Sequence, residues 1–535
     1  MADAIVVNAD VRTCDPAKPR AEAFAIKNGK FTAVGSTEFI ESLGGARRID
    51  LRGATVLPGI IDAHTHLVFG VELAMGVDLF EVAHKSAWLA AIAKTAKTLP
   101  ANGWLFGGRW DLTILKGETQ ELPSLEDVDA ATGDVPMVLR DIDFHSLWLN
   151  SAAMRAIGVD KHTAAPEGGE IVRDSKGNLT GEFKETATSM VEDHAAFRAA
   201  HRLTPAGLRN VFAHFNSVGI TAVHDMCPDF DLWEEVLAEN EPIPLRLWFG
   251  LMLLSPDQRQ QADFPWLYTQ KKAELSALAK RNGHSFEFGY IKFMVDGTLA
   301  NYTAALEEAY SDRCVDHFRG EPITQQDELT RLVAAANTAG FPVSVHAIGD
   351  RGVKMALSAF EASPTKPKFP NRIEHIESIK PEDLPRFSAA GVVASVQPNH
   401  AIAGEYQEAR LGPERLPLSY AWQTLLSSGA RVVLGSDWPT ALETPVSQLN
   451  SAVLRRKRGR AWYVQNALCF DEALYAYTQA PADMCGWGSD IGSISARKSA
   501  DFVVLPAQLT DLDAQRFEEW HVAETWIGGK CVYSK

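Results

Sequence analysis

Short apolar runs alternate with amphipathic stretches through the middle of the chain. Between residues 326 and 340, the apolar positions Leu329, Leu332, Val333 and Ala336 recur at the spacing that puts them on one helix face. Alternating strands and helices predict βα units and a parallel sheet. Eight runs can be read as strands, the number that a (β/α)8 barrel needs. These runs are residues 59–66, 219–225, 244–251, 290–297, 342–349, 372–376, 392–398 and 431–437.

The two ends of the chain and one long internal segment show other patterns. Residues 1–55 and 488–535 contain short β-branched runs separated by Gly-containing turns, which predicts a small β-sandwich built from both termini. The TIM barrel is expected over 56–487. Roughly 150 residues separate the first two predicted barrel strands, and a structureless loop of that length is implausible. We therefore expect residues 70–200 to form an inserted subdomain over the barrel mouth.

Overall charge and composition restrict the class of protein. The 535 residues carry a formal net charge of -16, and 46% of them are hydrophobic. Nucleic acids and anionic membranes are bound by clustered Lys and Arg, so this balance predicts neither as a partner. A basic run at residues 455–460 is expected to be a solvated helix end or to pair with the chain's own carboxylates. A small-molecule substrate fits this composition better.

Cysteine usage and the N-terminal residues indicate the compartment. The six cysteines are scattered and form no C-x-x-C pair, which argues against a cysteine zinc site and against a disulfide framework. The first residues lack the basic and apolar regions of a signal peptide, and no apolar run approaches about 18 residues. We therefore expect a cytoplasmic protein. Self-association is common among proteins of this kind, so a homo-oligomer is also considered.

An H-x-H pair ends the first predicted strand. His64 and His66 follow Pro58-Gly59 and two apolar residues. Side chains two residues apart on a strand point to the same side, so both imidazoles would reach one metal ion. The alternative is a pair of unrelated structural histidines.

Three further polar residues stand at the C-terminal ends of predicted strands. They are His346, His375 and Asp437. Each alone is more often a hydrogen-bonded structural residue. In a (β/α)8 barrel, however, functional groups come from the C-terminal ends of several strands. Four histidines and an aspartate at such positions therefore predict a metal centre.

Lys292 lies inside the apolar run that forms the fourth predicted strand. A charged ammonium is costly in that position. One interpretation is a lysine that points outward or pairs with Asp296 or Glu287. The other is a lysine whose neutral amine reacts with CO2, giving a carbamate that bridges two metal ions.

The set of residues resembles the binuclear metal type of the amidohydrolase superfamily, over essentially the whole chain. The motifs V-L-P-G-I-I-D-A-H-T-H, K-x-x-x-D-G, H-A-I-G-D, R-I-E-H and G-S-D-W-P are similar to a branch that includes N-substituted formamide deformylases. The resemblance implies two divalent ions held by His64, His66, carboxylated Lys292, His346, His375 and Asp437. It places His64 and His66 on the more buried ion and His346 and His375 on the second.

The resemblance also implies a reaction. A metal-bound hydroxide would attack a carbonyl, and Asp437 would take its proton, so that the C–N bond of a small amide or an N-formyl or N-acyl compound is hydrolysed. Zinc is the expected metal, with manganese or iron as alternatives. A lactonase, an ester-type or a cyclic-amide hydrolase would use the same centre. A deaminase is less favoured, because that type resembles a pattern without the bridging lysine. A non-catalytic binding protein would be expected to lack a ligand.

Five other residues are candidates for substrate binding. His224 ends the second predicted strand, and His400 follows the seventh. His145 lies in the predicted insertion. Arg372 would bind a substrate carboxylate or pair with Glu374 or Asp350, and Trp438 would form an apolar wall. For His224 the alternative is a satisfied core histidine.

Overall fold

Eight parallel strands form one sheet at the centre of the molecule. The computed structural model describes residues 2–506 and 520–535, except for 75, 101, 120, 227–228, 254–258, 260–263 and 403–405. The strands lie side by side in chain order, and every neighbouring pair is parallel. Their bounds are Ile60–Thr65, Ile220–Asp225, Arg246–Met252, Phe286–Met294, Val343–Ala347, Arg372–His375, Val393–Val396 and Arg431–Leu434. Each observed strand overlaps one of the eight predicted runs, and two of the strands, Arg246–Met252 and Phe286–Met294, extend beyond their runs.

The first and eighth strands meet and nearly close the sheet into a barrel. Asp437 N donates to the His64 carbonyl at 2.7 Å, and Thr65 forms an isolated parallel bridge with Trp438. Gly435 allows this approach, because a Cβ there would lie 2.5 Å from the backbone nitrogen of His64. The predicted barrel of the TIM type is therefore confirmed.

Amphipathic helices surround the barrel. The face predicted between residues 326 and 340 is buried as expected in the helix Gln326–Thr338. The helices that follow the first to fifth strands include Leu67–Ala74, Pro205–Ser217, Phe230–Ala238, Phe264–Asn282, Gln326–Thr338 and Asp350–Ala362. The later ones are Leu384–Ala390, Pro398–Ile402, Tyr406–Arg415, Trp422–Ser427, Pro445–Leu454, Phe470–Ala476 and Gln479–Met484. In the described residues no helix has both the length and the apolar character needed to cross a bilayer.

Two further sheets contain the ends of the chain. A four-stranded sheet is formed, in spatial order, by Lys30–Gly35, Ala23–Lys27, Ala2–Val7 and Gly45–Asp50, with the helix Thr37–Leu43 beside it. A six-stranded sheet is formed, in spatial order, by Lys530–Ser534, Glu524–Ile527, Phe502–Leu505, Thr55–Pro58, Asp10–Arg12 and Arg20–Ala21. Phe24 of the first sheet and Phe502 of the second contact each other in one buried cluster.

The segment between the first two barrel strands has its own sheet and cores. Its six strands are, in spatial order, Gly169–Arg173, Leu179–Glu185, Ser146–Leu149, Val138–Asp141, Gly107–Trp110 and Val77–Asp78. Its helices are Lys85–Ala96, Leu125–Thr132, Ser151–Ala156, Thr188–Glu192 and Ala195–Ala200. Separate buried clusters, including Trp88 with Trp148, pack on its sheet.

The basic run at residues 455–460 is structural. Arg455 is fully buried, and its guanidinium lies between the rings of Trp422 and Trp462. Lys457 forms an ion pair with Glu408 at 3.0 Å. Arg456, Arg458 and Arg460 are exposed. The run is therefore a helix end that is solvated in part, and the alternative of pairing with a carboxylate is confirmed for Lys457.

Candidate metal centre and cavity

The six predicted ligand residues lie together at the C-terminal end of the barrel. His64, Lys292, His346 and His375 lie on the first, fourth, fifth and sixth strands. His66 follows the first strand and Asp437 the eighth, so five strands contribute to the group. All six are at least 93% buried. Lys292 therefore does not point outward to solvent, as one interpretation of its position required.

Asp437 lies at the centre of this group. Its Oδ1 is 3.1 Å from Nε2 of His64 and 3.2 Å from Nε2 of His66. Its Oδ2 is 4.0 Å from Nδ1 of His375. The amine of Lys292 is 3.4 Å from the same Nε2 of His64. One carboxylate thus faces three imidazoles that the barrel brings together from its first and sixth strands.

His346 packs beside this group rather than within it. Its ring centroid is 4.4 Å from that of His375. Its Nε2 is 3.2 Å from the carbonyl oxygen of Gly297. A carbonyl only accepts hydrogen bonds, so Nε2 carries the proton and Nδ1 keeps a free lone pair. That tautomer leaves one nitrogen of His346 able to bind a cation.

The donor set fits a divalent cation. One ligand atom from each of His64, His375 and Asp437 can be chosen so that all three lie within 4.8 Å of one another. Atoms bound to one tetrahedral Zn2+ lie about 3.3 Å apart, since each bond is about 2.0–2.1 Å long. Both ring nitrogens of His375 are buried and form no hydrogen bond with any residue that the structure describes. A buried polar nitrogen without a hydrogen bond lowers the stability of the fold unless another partner, such as a metal ion, binds it.

Burial controls the protonation of these residues. It lowers the pKa of His66 to about 3 and holds the pKa of His346 and of His375 well below the ordinary value. Burial alone would raise the pKa of Asp437, but the neighbouring imidazoles of His64 and His66 hold it well below the usual range. Neutral imidazoles and an ionised carboxylate are the forms that bind metal ions.

The backbone is strained at two of these residues. His375 has a φ of 74° and Asp437 a φ of 58°, in the left-handed region that residues other than glycine rarely adopt. Each residue comes at the end of its barrel strand or shortly after it. Strain of this kind persists only where the surrounding structure holds it, and it is concentrated at functional sites.

Glu374 lies below the group and was not predicted. Its Oε2 is 2.7 Å from Nδ1 of His64, and its Oε1 accepts a hydrogen bond from Ser344 at 2.6 Å. Arg372 forms an ion pair with it at 2.6 Å. Strand alternation could have identified Glu374, because it shares a face with Arg372 two residues earlier in the same strand.

Asp62 is a second residue that the sequence analysis missed. It accepts hydrogen bonds from the backbone nitrogen of His64 at 3.2 Å and from that of Ser436 at 2.8 Å. The Ser436 hydroxyl donates to its other oxygen at 2.6 Å. Asp62 thereby joins the first and last barrel strands directly beneath His64 and Asp437. Its position two residues before His64, on the same strand face, was the available signal.

A cavity opens directly above this group. Its volume is about 140 Å³. The residues on its floor are His66, Lys292, His346, His375 and Asp437. The segment between the first two barrel strands forms much of the opposite wall, so the cavity is enclosed on two sides. From that segment, the wall includes Phe69, Asp111, Arg140, Asp143, Phe144, His145, Glu185 and Glu192.

Two of the five substrate-binding candidates line the cavity. His145 faces Glu185, with Nδ1 2.8 Å from Oε2, and its ring lies 5.1 Å from that of His346. Burial would lower the pKa of His145, but Glu185 raises it to about 9. His400 stacks on His375, and its Nε2 is 3.6 Å from Oδ2 of Asp437. Both histidines can therefore meet a molecule held over the floor.

The other three candidates are not among the cavity-lining residues. Arg372 and His224 are buried inside the barrel, where Nη1 of Arg372 lies 3.2 Å from Nδ1 of His224. Of the two roles considered for Arg372, the structure favours the pair with Glu374 over contact with substrate. Trp438 packs on Phe215, and its carbonyl accepts from the backbone nitrogen of His66 at 2.8 Å.

An aromatic stack extends from the floor into the wall and was also missed. The ring of Phe69 is stacked on His66 at 5.1 Å and on Phe144 at 4.8 Å. Arg140 lies over Phe69 and forms ion pairs with the buried Glu72 at 2.9 Å and with the half-buried Glu192 at 2.7 Å. Phe144 has a φ of 61°, which is rare for a bulky residue. The stack joins two segments that are distant in the chain, one with His66 and Phe69 and the other with Arg140 and Phe144, and no local sequence pattern connects the two.

Known proteins resemble this chain in sequence and in fold. A family model described as the amidohydrolase family matches residues 47–533. The protein YtcJ of Bacillus subtilis (strain 168) is 29% identical over 533 residues, which cover 96% of each chain. The N-substituted formamide deformylase of Arthrobacter pascens is 26% identical over 100% of this chain and 99% of its own. A crystal structure of an uncharacterized metal-dependent hydrolase from Pyrococcus horikoshii OT3 has a TM-score of 0.72 at 22% identity, covering 95% of this chain and 98% of that one.

Proposed function

Because the chain belongs to the amidohydrolase family, we propose that this metal-dependent hydrolase cleaves the C–N bond of a small amide or of an N-formyl or N-acyl compound. One observation carries the proposal: three imidazoles, one amine and one carboxylate from five barrel strands meet on the floor of a single cavity, and the imidazole of His64 lies 3.1 Å from that carboxylate. Active sites of such barrels are typically built from groups at the C-terminal ends of several strands.

The proposed ligands are those of the sequence analysis. His64 and His66 would hold one divalent ion and His346 and His375 a second, with Asp437 on the first. Lys292, as its carbamate, would bridge the two. Zinc is the metal that the nitrogen and oxygen donors favour, and manganese or iron would also be accepted. Support comes from the unpartnered ring nitrogens of His375 and from the tautomer of His346.

A bound divalent cation supplies Lewis acidity, which makes water acidic enough to react near neutral pH and polarises a carbonyl oxygen. The carboxylate of Asp437 accepts the proton that the attacking water loses. It then returns this proton to the nitrogen of the leaving amine as the C–N bond breaks. One C–O bond and one N–H bond are formed, so the products are a carboxylic acid and an amine.

The cavity walls orient the substrate in this proposal. His145 lies beside His346 and His400 beside His375, and both would donate hydrogen bonds to polar groups of the substrate. Phe69 and Phe144 would contact its apolar part and exclude water, which strengthens the electrostatic interactions at the floor. His224, Arg372 and Trp438 would position the floor rather than contact the substrate.

The domain boundaries, the compartment and the partners of the chain are also proposals. We propose that residues 1–55 with 488–535 form a β-sandwich domain, that 56–487 form the hydrolase barrel, and that 70–200 form a subdomain over its mouth. The chain would act in the cytoplasm on a small molecule, as a homo-oligomer, without nucleic-acid or membrane partners. The acidic net charge of -16 supports the exclusion of nucleic acid.

A substrate panel tests the reaction class. Purified holoprotein is incubated with N-substituted formamides, N-acyl amines, cyclic amides, lactones, aryl esters and cyclic amidines, and the products are measured by mass spectrometry. The proposal predicts release of free amine from formamides or acyl amines, at rates above those for all other classes. Faster opening of lactones would favour the ester-type alternative. Ammonia release from cyclic amidines with no amide hydrolysis would contradict the proposal.

A further inference from the structure

Glu374 connects His64 to the sixth barrel strand at full burial. Both side chains have no exposed surface, and Oε2 of Glu374 lies 2.7 Å from Nδ1 of His64. The other nitrogen of the ring, Nε2, faces the amine of Lys292 and the carboxylate of Asp437. The two ring nitrogens of His64 therefore have separate partners, one below the floor and one on it.

The contact with Glu374 determines which nitrogen of His64 carries the proton. An ionised carboxylate is an acceptor only, so Nδ1 must donate to it. The side-chain nitrogen of Gln397 is also 3.3 Å from Nδ1, but an amide NH2 group cannot accept that proton. The closer and charged carboxylate decides the tautomer. In the neutral ring Nε2 then has a free lone pair directed at the floor.

Two other side chains hold Glu374 in place. Its Oε1 accepts a hydrogen bond from Ser344 of the fifth strand and pairs with Arg372 of its own strand, both at 2.6 Å. Arg372 is itself fixed, because its Nη1 donates to the carbonyl of Ala63 at 3.2 Å, next to His64 in the chain. The carboxylate is thus anchored on the side away from His64, and its orientation toward the ring is set by three strands.

We infer that Glu374 is a positioning residue for the metal centre, which orients His64 and directs the Nε2 lone pair toward Asp437 and Lys292. The inference rests on the proposed function in one respect, since it requires that the floor of the cavity binds a divalent ion. It also assigns a purpose to Arg372, which serves as the anchor of Glu374. Carboxylates that hold ligand histidines in this way strengthen metal binding about 10- to 100-fold.

Zinc affinity is the direct test. Metal-free wild type and Glu374→Gln protein are titrated with Zn2+ in competition with a chromogenic chelator. The glutamine keeps the size of the side chain but not the charged acceptor, so a 10- to 100-fold loss of affinity is expected. Asp501→Asn is the matched control, because Asp501 is also a buried carboxylate paired with an arginine, Arg246 at 2.7 Å, and contacts none of the proposed ligands. Its zinc affinity should equal that of wild type.

A second variant covers the case in which Glu374→Gln does not fold. Ser344→Ala removes one hydrogen bond that orients the carboxylate but leaves the charge, so a several-fold loss of zinc affinity is expected with an unchanged melting temperature of the metal-free protein. Wild-type affinity in a folded Glu374→Gln protein would overturn the inference, as would wild-type affinity in Ser344→Ala if Glu374→Gln does not fold. A wild-type chain that binds no Zn2+ would instead overturn the proposed function, and the inference with it.

Discussion

Oδ1 of Asp437 lies 3.1 Å from Nε2 of His64, which places a carboxylate of the last barrel strand against an imidazole of the first. The backbone joins the same two residues, because Asp437 N donates to the His64 carbonyl at 2.7 Å. The closure of the barrel and the assembly of the site are therefore one structural event. Any change that separates these strands would disturb both.

Asp437→Asn should abolish turnover and retain metal. An amide keeps an oxygen that can bind a cation, but it does not accept the proton that the attacking water must lose. We expect kcat to fall by about 100- to 10,000-fold, the usual contribution of a general base. The measurement is kcat on the best amide of the panel, with metal content determined in parallel. Asp490→Asn, at an exposed residue paired with Lys30, is the control, and near-normal turnover in Asp437→Asn would refute the general-base role.

Phe144→Ala should weaken substrate binding without changing metal content. The ring of Phe144 stacks on Phe69 and lines the cavity, so its removal takes apolar contact area from a bound substrate. A loss of roughly 1.4 kcal/mol corresponds to about a tenfold rise in KM. Steady-state kinetics on the best amide measure this. The control is Phe39→Ala in the helix Thr37–Leu43, where the ring is exposed. An unchanged KM in Phe144→Ala would exclude Phe144 from substrate contact.

Glu72 should make stability depend on pH in the acid range. Burial would raise the pKa of Glu72, but Arg140 and His201 lower it to about 2. A group whose folded pKa is depressed stabilises the protein above its unfolded pKa, about 4.5, and loses this effect as the pH falls toward 2. The full contribution is about 3 kcal/mol, at 1.36 kcal/mol per unit of pKa.

Glu72→Gln tests this dependence in urea denaturation. The difference in free energy of unfolding between wild type and the variant should shrink by about 1 kcal/mol between pH 7 and pH 3.5. Glu234→Gln, at an exposed residue, should show a difference close to zero at both pH values. A wild-type advantage over Glu72→Gln that is constant across this range would show that the buried pair with Arg140 does not hold the carboxylate ionised.

The thiols should differ in reactivity with iodoacetamide. Burial raises the pKa of Cys14 to about 12, and Thr478 donates a hydrogen bond to its sulfur at 3.4 Å. The thiolate is the reactive form, so Cys14 should remain unmodified at pH 8 in the folded protein. Cys469 and Cys531 are exposed and should be alkylated before Cys14. Peptide mass spectrometry over time measures the order, and Cys14 labelling as fast as Cys531 would contradict the packing at this position.

Most of the barrel could be predicted because its signals are local. Its strands are short runs rich in apolar residues, except for the sixth, Arg372–His375. The ligand candidates stand within such strands or shortly after them, as His375 and Asp437 do. The rules for parallel sheets then bring the strand ends together. The convergence of His64, His66, Lys292, His346, His375 and Asp437 at one end of the barrel follows from that geometry.

The partners of the other buried polar residues could not be predicted, because a local pattern does not distinguish a metal ligand from a buried residue that only holds its neighbours in place. Arg372 and His224 ended strands or lay inside them as the ligand candidates did, yet their contacts are with each other and with Glu374. The cavity wall depends on contacts between distant segments, such as Phe69 with Phe144. Only the assembled fold shows these contacts.

The metal bound by the purified chain is the decisive measurement for the proposed centre. Protein expressed with added zinc is freed of loosely bound ions by gel filtration and analysed by inductively coupled plasma mass spectrometry. We expect two divalent ions per wild-type chain, and fewer in a His375→Ala variant that keeps its fold. A folded wild-type chain that carries no divalent metal above the buffer background, or the same content in His375→Ala as in wild type, would contradict the proposed centre.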